Sequence, residues 1–324
     1  VFVSNYPPYS FWSEDNITKV QQTLQQTFSN QTNLGLYLHI PFCRKRCKFC
    51  YFRVYTDKNS QEIERYLDLL SKEVELYADM PAIAERNLHF IYFGGGTPSF
   101  ISSKFLKNLV ARVKAAMPWD KALEVAFECE PGTLTQSKLE TMREVGVTRL
   151  SIGVENLNDS VLRENGRAHV TKEIYRIMPW VHQLEFDQVN IDLIAGMVGE
   201  VRQTWEDTVQ KAIDLDPDSI TIYQMELPFN TVYSKQILDE DGTNLYVADW
   251  QTKREWHQYA IEQLIDAGFE VSSAYTMVKK DRRNQFIYRD ALWHSSDMIG
   301  AGVASFSHLN GIHFQNQTHW KVYL

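Results

Sequence analysis

Residues 34–52 read LGLYLHIPFCRKRCKFCYF, an apolar, strand-like run that ends at Ile40 and Pro41 and opens into a loop with Cys43, Cys47 and Cys50. The chain has four cysteines in 324 residues, too few for a disulfide framework, and pairing within the trio would leave one thiol over. The spacing is that of metal ligation. Thiolates at i, i+4 and i+7 on one loop can hold three corners of a cubane iron–sulfur cluster and leave the fourth iron open. A structural zinc ion needs a fourth ligand at tetrahedral geometry, for which His39 is the nearby candidate, although it stands in the strand. Inert core thiols are the third reading, and the flanking Arg44, Lys45, Arg46 and Lys48 argue against it. Those cations are expected to lower the thiol pKa values and to offset cluster charge.

Working outward, strand-like runs at 34–40, 88–96, 123–130, 148–155, 188–196 and 219–227 alternate with segments whose apolar residues recur at i, i+3 and i+4. Strand, helix, strand repeated five times reads as parallel βα units. Six strands are too few to close an eight-stranded barrel. The expected fold is therefore α/β, an open, partial (β/α)6 barrel with its site at the carboxyl ends of the strands. From 232 the pattern changes: 248–275 reads as an amphipathic helix followed by a strand, and 300–316, GAGVASFSHLNGIHFQN, as a Gly-rich turn between extended pieces. The expected organisation is an N-terminal arm over 1–33, a barrel over 34–231 and a small α+β accessory domain over 232–324.

With 41 acidic and 33 basic residues the net charge is −8, which offers no broad attraction to nucleic acid or anionic lipid. No apolar run reaches the ~20 residues of a membrane span. The opening VFVSNYPPYSFWSED has no basic n-region and no small-residue cleavage site, so a cytoplasmic protein is expected.

The C-x3-C-x2-C loop after a first strand, with FGGGTPSF at 93–100 after the second, resembles the radical S-adenosylmethionine (SAM) superfamily. Read by themselves, closely spaced glycines let backbone amides approach a ligand carboxylate or amine. More narrowly, LYLHIPFC, GGGTP, FECEPGTL, RLSIGVENLND, NIDLIAGMVGE and GAGVASFSHLNGIHFQN resemble, in this order, the oxygen-independent coproporphyrinogen III dehydrogenase-like subgroup. That resemblance implies a [4Fe–4S] cluster on Cys43, Cys47 and Cys50 whose open iron chelates SAM, with reduction giving a 5′-deoxyadenosyl radical. It also implies two SAM molecules. Tyr37, Gly95, Glu128 and Phe306 would surround the first; Phe49, Gly96, Thr97, Arg167, Asp192 and Met225 would surround the second. Glu155 stands where the dehydrogenase has glutamine.

The same residues have plainer readings. Glu128 and Asp192 lie in apolar strands, where a carboxylate requires either ligand contacts or a buried cation. Tyr37 and Phe49 can serve as core, and Arg167 as a surface arginine. Cys129 alternates with Glu128 and Glu130, so its thiol should point to the packed side.

Two departures from the resemblance bear on function. Phe52 occupies the position of a further thiol in the dehydrogenase. In 282–293, RRNQFIYRDALW, Arg283 replaces the histidine of the haem chaperones' H-N-x-x-Y-W motif and the Tyr–Trp pair is split. The leading expectation is a radical SAM enzyme that uses a second SAM for methyl or methylene transfer to a bulky, unsaturated substrate, tetrapyrrole or polycyclic, with flavodoxin or ferredoxin as electron donor. The alternatives are oxidative decarboxylation of a porphyrinogen propionate in haem biosynthesis, a haem chaperone, and a zinc-stabilised binding module. Trp12, Tyr51, Phe52 and Trp293 are candidates to line a pocket for a planar molecule.

Overall fold

In β1 (Leu34–Ile40), Leu34, Leu36, Leu38 and Ile40 share one face and are all buried, while Tyr37 and His39 on the other face are half-buried. It is central in an eleven-stranded sheet of order β11-β10-β9-β1-β2-β3-β4-β5-β6-β8-β7. The computed structural model describes residues 8, 11–27, 32–117, 119–238, 246–282 and 285–324, so Arg283 lies outside the described residues. β2 (Leu88–Gly95), β3 (Glu124–Cys129), β4 (Arg149–Glu155), β5 (Gln188–Ala195) and β6 (Ser219–Gln224) follow β1 in parallel register, each on the edge of the one before. The strands fall on the expected runs and most end one to three residues earlier.

The crossovers are α2 (Ser60–Ala78), α3 (Ser103–Ala116), α4 (Gln136–Glu144), α5 (Asp159–Glu164) with α6 (Thr171–Gln183), and α7 (Arg202–Asp214). Their starts are set by local chemistry. Asn59 and Glu62 form a capping box at α2, and Ser102, Thr135 and Asn158 accept backbone amides at α3, α4 and α5. Ile63, Leu67, Leu70 and Val74 of α2 form the buried stripe that seats it on the sheet. The sheet does not close, and the fold is an open, partial α/β barrel, as expected.

The residues after 232 extend both edges of this sheet. α8 (Val232–Leu238) and α9 (Trp250–Asp266) lead into β7 (Phe269–Val271) and β8 (Thr276–Lys279), and β8 pairs antiparallel with β6. The chain then crosses through α10 (Ile287–Trp293) to β9 (Asp297–Ala301), which pairs parallel with β1. β10 (Phe306–Leu309) and β11 (Ile312–Gln315) continue that edge as a hairpin, and α11 (Trp320–Tyr323) ends the chain. Within the N-terminal arm, α1 (Ile17–Leu24) is a short helix the sequence pattern did not suggest. Among the described residues no helix is long and apolar enough to cross a membrane.

Candidate active site

The loop after β1 is held at both ends. The Cys43 amide donates to the Tyr55 carbonyl and the Lys48 amide to the Asn165 carbonyl. Cys43, Cys47 and Cys50 line one cavity of about 580 Å³ at the carboxyl ends of the strands. Cys43 Sγ lies 3.2 Å from Thr97 Oγ1, and the Arg167 guanidinium donates to Cys47 Sγ at 3.4 Å, contacts suited to thiolates that carry a cluster. Among the described residues no group of three or more His, Cys, Asp or Glu is placed to hold a single metal ion. His39 does not serve as the zinc reading requires: its Nδ1 is hydrogen-bonded to Tyr37 Oη at 3.2 Å, and burial pushes its pKa down to about 4.

The basic flank does not set the thiol pKa values as expected, although Arg46 pulls Cys50 downward. Burial dominates, pushing Cys43 up to about 11 and Cys50 upward as well. Arg44 donates to the Ala168 carbonyl, Arg46 to the Cys50 carbonyl, and Lys48 pairs with Glu164 at 3.1 Å. The glycines also differ from expectation. The Gly96 and Thr97 amides donate to the Ile40 and Phe42 carbonyls, and the Gly95 amide donates to Glu128, so none is left for a ligand. What requires glycine is close approach: a Cβ on Gly96 would stand 2.9 Å from Cys43 Sγ, and Gly95 has φ +126°.

The opposite wall carries carboxylates. Glu128, near the end of β3, accepts from Tyr92 Oη at 2.9 Å and from the Gly95 amide at 3.1 Å. Burial pushes its pKa up to about 7, with Asp192 adding to the rise. Asp192 on β5 accepts from Ser151 and Asn190 and is pushed up to about 6 by burial. Glu155, at φ +65° beside a register shift between β4 and β5, turns into the same cavity and is raised to about 7 by burial. A left-handed backbone at a bulky residue is strain of the kind found at functional sites. Arg167 lies 3.5 Å from Glu155 and donates to the Gly153 carbonyl at 2.6 Å. Glu128, Asp192 and Glu155 thus form an acidic wall on which Arg167 pairs with Glu155, while Arg44, Lys45 and Arg46 line the cavity from the cysteine loop; the acidic wall favours a cationic group.

Phe49, Gly95, Gly96, Thr97 and Met225 line this cavity with those groups. Met225 and Phe49 belong to a small apolar cluster with Val161, Ile194 and Met197. Tyr37 and Phe306 are not in the lining: Tyr37 stacks on Tyr92 with centroids 5.9 Å apart, and Phe306 packs edge-on against Trp12 at the far sheet edge. Cys129 is buried and belongs to the main apolar core as expected, but it is also among the residues that line the cavity. Of the proposed aromatic pocket, Tyr51 and Phe52 line the cavity, whereas Trp12 and Trp293 do not.

Sequence reading missed several lining or supporting groups. Tyr92 was legible from alternation, since it shares the inward face of β2 with Phe90 and Gly94. Glu130 and His169, whose Oε1 and Nδ1 are 2.7 Å apart, gave no local signal, and neither did Tyr223, Trp250 and Tyr275.

With the cysteine loop and acidic wall in place, comparison with known proteins decides the family. The model of the radical SAM superfamily matches residues 37–212. The chain belongs to the radical SAM superfamily. Within it, the chain falls in the group of coproporphyrinogen III oxidases and haem chaperones. It is 24% identical to the oxygen-independent coproporphyrinogen III oxidase of Synechocystis, over 99% of this chain and 70% of that protein. It is 31% identical to the haem chaperone HemW of Buchnera aphidicola, over 84% of this chain and 69% of that one. The oxidase of Salmonella typhimurium is 26% identical over 90% of this chain, which spans only 64% of that protein's length. The solved structure of Escherichia coli coproporphyrinogen III oxidase (HemN), a radical SAM enzyme, superposes with a TM-score of 0.85 at 25% identity, over 99% of this chain and 74% of that one. Radical SAM proteins use a [4Fe–4S] cluster and SAM, and the three thiols and acidic wall of this chain fit both.

Proposed function

We propose that the chain is a radical SAM enzyme acting on a tetrapyrrole-class substrate, and that its reaction is oxidative decarboxylation of a porphyrinogen propionate. The observation that carries this reading is one cavity in which the three cluster thiols, Glu128, Glu155, Asp192 and Arg167 face one another and which also reaches Tyr51, Phe52 and Trp250. The leading expectation from sequence was methyl or methylene transfer; the relatives compared above are named instead as oxidases and haem chaperones, which favours the alternative.

In this reading Cys43, Cys47 and Cys50 hold the cluster, which with SAM supplies a hydrogen-abstracting radical on reduction by a flavodoxin- or ferredoxin-type donor. Glu128 accepts from the ammonium of the SAM at the cluster. Arg167, Asp192, Phe49, Thr97 and Met225 provide for a second SAM, whose carboxylate must share Arg167 with Glu155. The barrel over 34–231 carries the cluster and SAM residues, and 232–324 extends both edges of the sheet and adds Trp250 and Tyr275 to the lining. Each propionate loses one hydrogen atom, carbon dioxide and one electron, the last to an external acceptor. The test is anaerobic turnover of reconstituted protein with coproporphyrinogen III: 5′-deoxyadenosine with product lighter by carbon dioxide and two hydrogens for each propionate supports the reading, and a product heavier by a methyl group overturns it.

A second reading, a haem chaperone, is favoured by the Buchnera relative and by Phe52 in place of a thiol. Haem binding without deoxyadenosine release under the same conditions would select it.

A further inference from the structure

A buried acid–imidazole pair stands behind the Arg167 guanidinium, and nothing in the reaction above uses it. The His169 side chain is wholly shielded from solvent, with Nδ1 2.7 Å from Glu130 Oε1 and Nε2 3.2 Å from the Val154 carbonyl. Glu130 lies just past β3, where its amide donates to Ser99 Oγ and its Oε1 also accepts the Gly132 amide. Burial pushes its pKa up, but His169, Arg167 and the Gly132 amide outweigh burial and hold it below the usual carboxylate range. Each ring nitrogen of His169 thus faces an acceptor, and the ring ties the ends of β3 and β4 together.

Both contacts bear on the cysteine loop. The Val154 carbonyl also accepts the Asn156 amide at 2.8 Å, closing a three-residue turn centred on Glu155 at φ +65°, the rare and strained hand of such a turn. Two residues before His169, Arg167 donates to the neighbouring Gly153 carbonyl, reaches Cys47 Sγ at 3.4 Å and pairs with Glu155. The Ala168 carbonyl between them accepts from Arg44. Arg167 makes these contacts with its two terminal nitrogens, and its buried Nε has no hydrogen-bond partner among the described residues. A guanidinium fixed only at its tip depends on how its backbone is seated. His169 supplies that seat.

We infer that the Glu130–His169 pair positions Arg167 on Cys47, and through it sets the reduction potential of the cluster that Cys43, Cys47 and Cys50 hold. A hydrogen-bond donor on a cluster thiolate favours the reduced, more negative cluster, so the Arg167 contact raises the potential. His169 is outside the cavity lining and is a positioning residue. The inference concerns the cluster alone and holds whichever substrate the chain takes.

The test is an anaerobic redox titration of reconstituted protein, following the electron paramagnetic resonance of the reduced cluster. His169→Phe keeps the bulk of the ring and leaves Glu130 Oε1 with the Gly132 amide and the Val154 carbonyl with the Asn156 amide, so it should fold and bind wild-type iron. Its potential should fall, as should that of Arg167→Ala. The double variant should lie no lower than Arg167→Ala alone, because the pair acts through Arg167. Deoxyadenosine formation by His169→Phe should drop with dithionite and recover with titanium(III) citrate, a stronger reductant, a split that a damaged fold does not produce. If His169→Phe loses iron, His169→Asn, whose shorter amide reaches one acceptor at most, takes its place with the same expected fall. A wild-type potential in an iron-replete His169 variant or in Arg167→Ala overturns the inference. So do shifts that add in the double variant, which would assign the effect to the ring's own charge.

Discussion

Glu124 and Glu128 lie on the same face of β3, at opposite ends, and their surroundings differ in sign. Glu124 accepts the Ile287 and Tyr288 amides at 3.1 and 3.0 Å, which fixes the first turn of α10 across the amino-terminal end of the barrel. Its charge neighbour is the buried Arg149 guanidinium, itself bound to Gln188 and set 4.0 Å over the Phe286 ring. Glu128 has two hydrogen bonds as well, but its charge neighbour is another acid, Asp192. One end of the strand is compensated and plugged, and at the other acid faces acid, so that the charge is relieved by protonation or by a cationic group from outside. A parallel barrel thus separates stability from chemistry along its strand axis.

The largest effects should come from the cluster loop. Alanine at Cys43, Cys47 or Cys50 should remove most of the iron and all SAM cleavage, whereas Cys129→Ala, on the packed side of β3, should keep both and cost about 1 kcal/mol of stability. Iron quantitation and deoxyadenosine release check this; loss of iron in Cys129→Ala would break the division between the two faces of β3.

At the plugged end, Arg149→Leu removes a buried cation from beside Glu124 together with its hydrogen bonds to Gln188 and Ser219, and denaturant unfolding should show a loss of about 1–3 kcal/mol from the groups left unsatisfied. At the open end, Glu128→Gln removes a surplus charge. It should leave stability unchanged or higher while weakening SAM binding by about 1.5–3 kcal/mol. Equal destabilisation by the two substitutions would erase the contrast between the strand ends.

Acidity sharpens the same contrast. Glu128 and Glu155 are raised to about 7 and Asp192 to about 6, above their unfolded values, so they bind protons more tightly in the folded state. Their contribution to stability is full below the unfolded pKa values and is lost as pH rises through about 7. SAM affinity should move the other way, rising over that range as the carboxylates ionise. Melting temperatures and SAM titrations between about pH 5 and 8 measure both slopes, and Glu128→Gln should flatten each.

The smallest effect concerns the second SAM. Arg167→Lys, which loses the planar fork, should keep the cluster and lower bound SAM from two per cluster towards one, with abortive deoxyadenosine still formed. One SAM per cluster in the wild type, measured with substrate present, would remove the two-SAM reading.

What the sequence determined by itself was whatever is written in short-range spacing. The three thiols of one loop, the six strand runs, the α/β class and the inward face that Tyr92 shares with Gly94 all follow from residues a few positions apart, where chain geometry leaves few choices. Tertiary structure decided the rest. β9 lies beside β1 although more than 250 residues separate them, Glu155 faces the cavity only because β4 shifts register against β5, and the glycine amides are taken by β1 carbonyls instead of a ligand. The flank of basic residues shows the reason most directly. Sequence places four cations beside the thiols, but the fold gives Arg44, Arg46 and Lys48 other partners and buries Cys43, so desolvation outweighs charge proximity and the thiol pKa rises. Proximity along the chain fixes which groups are near; solvent exclusion and long-range pairing fix the sign of their effect.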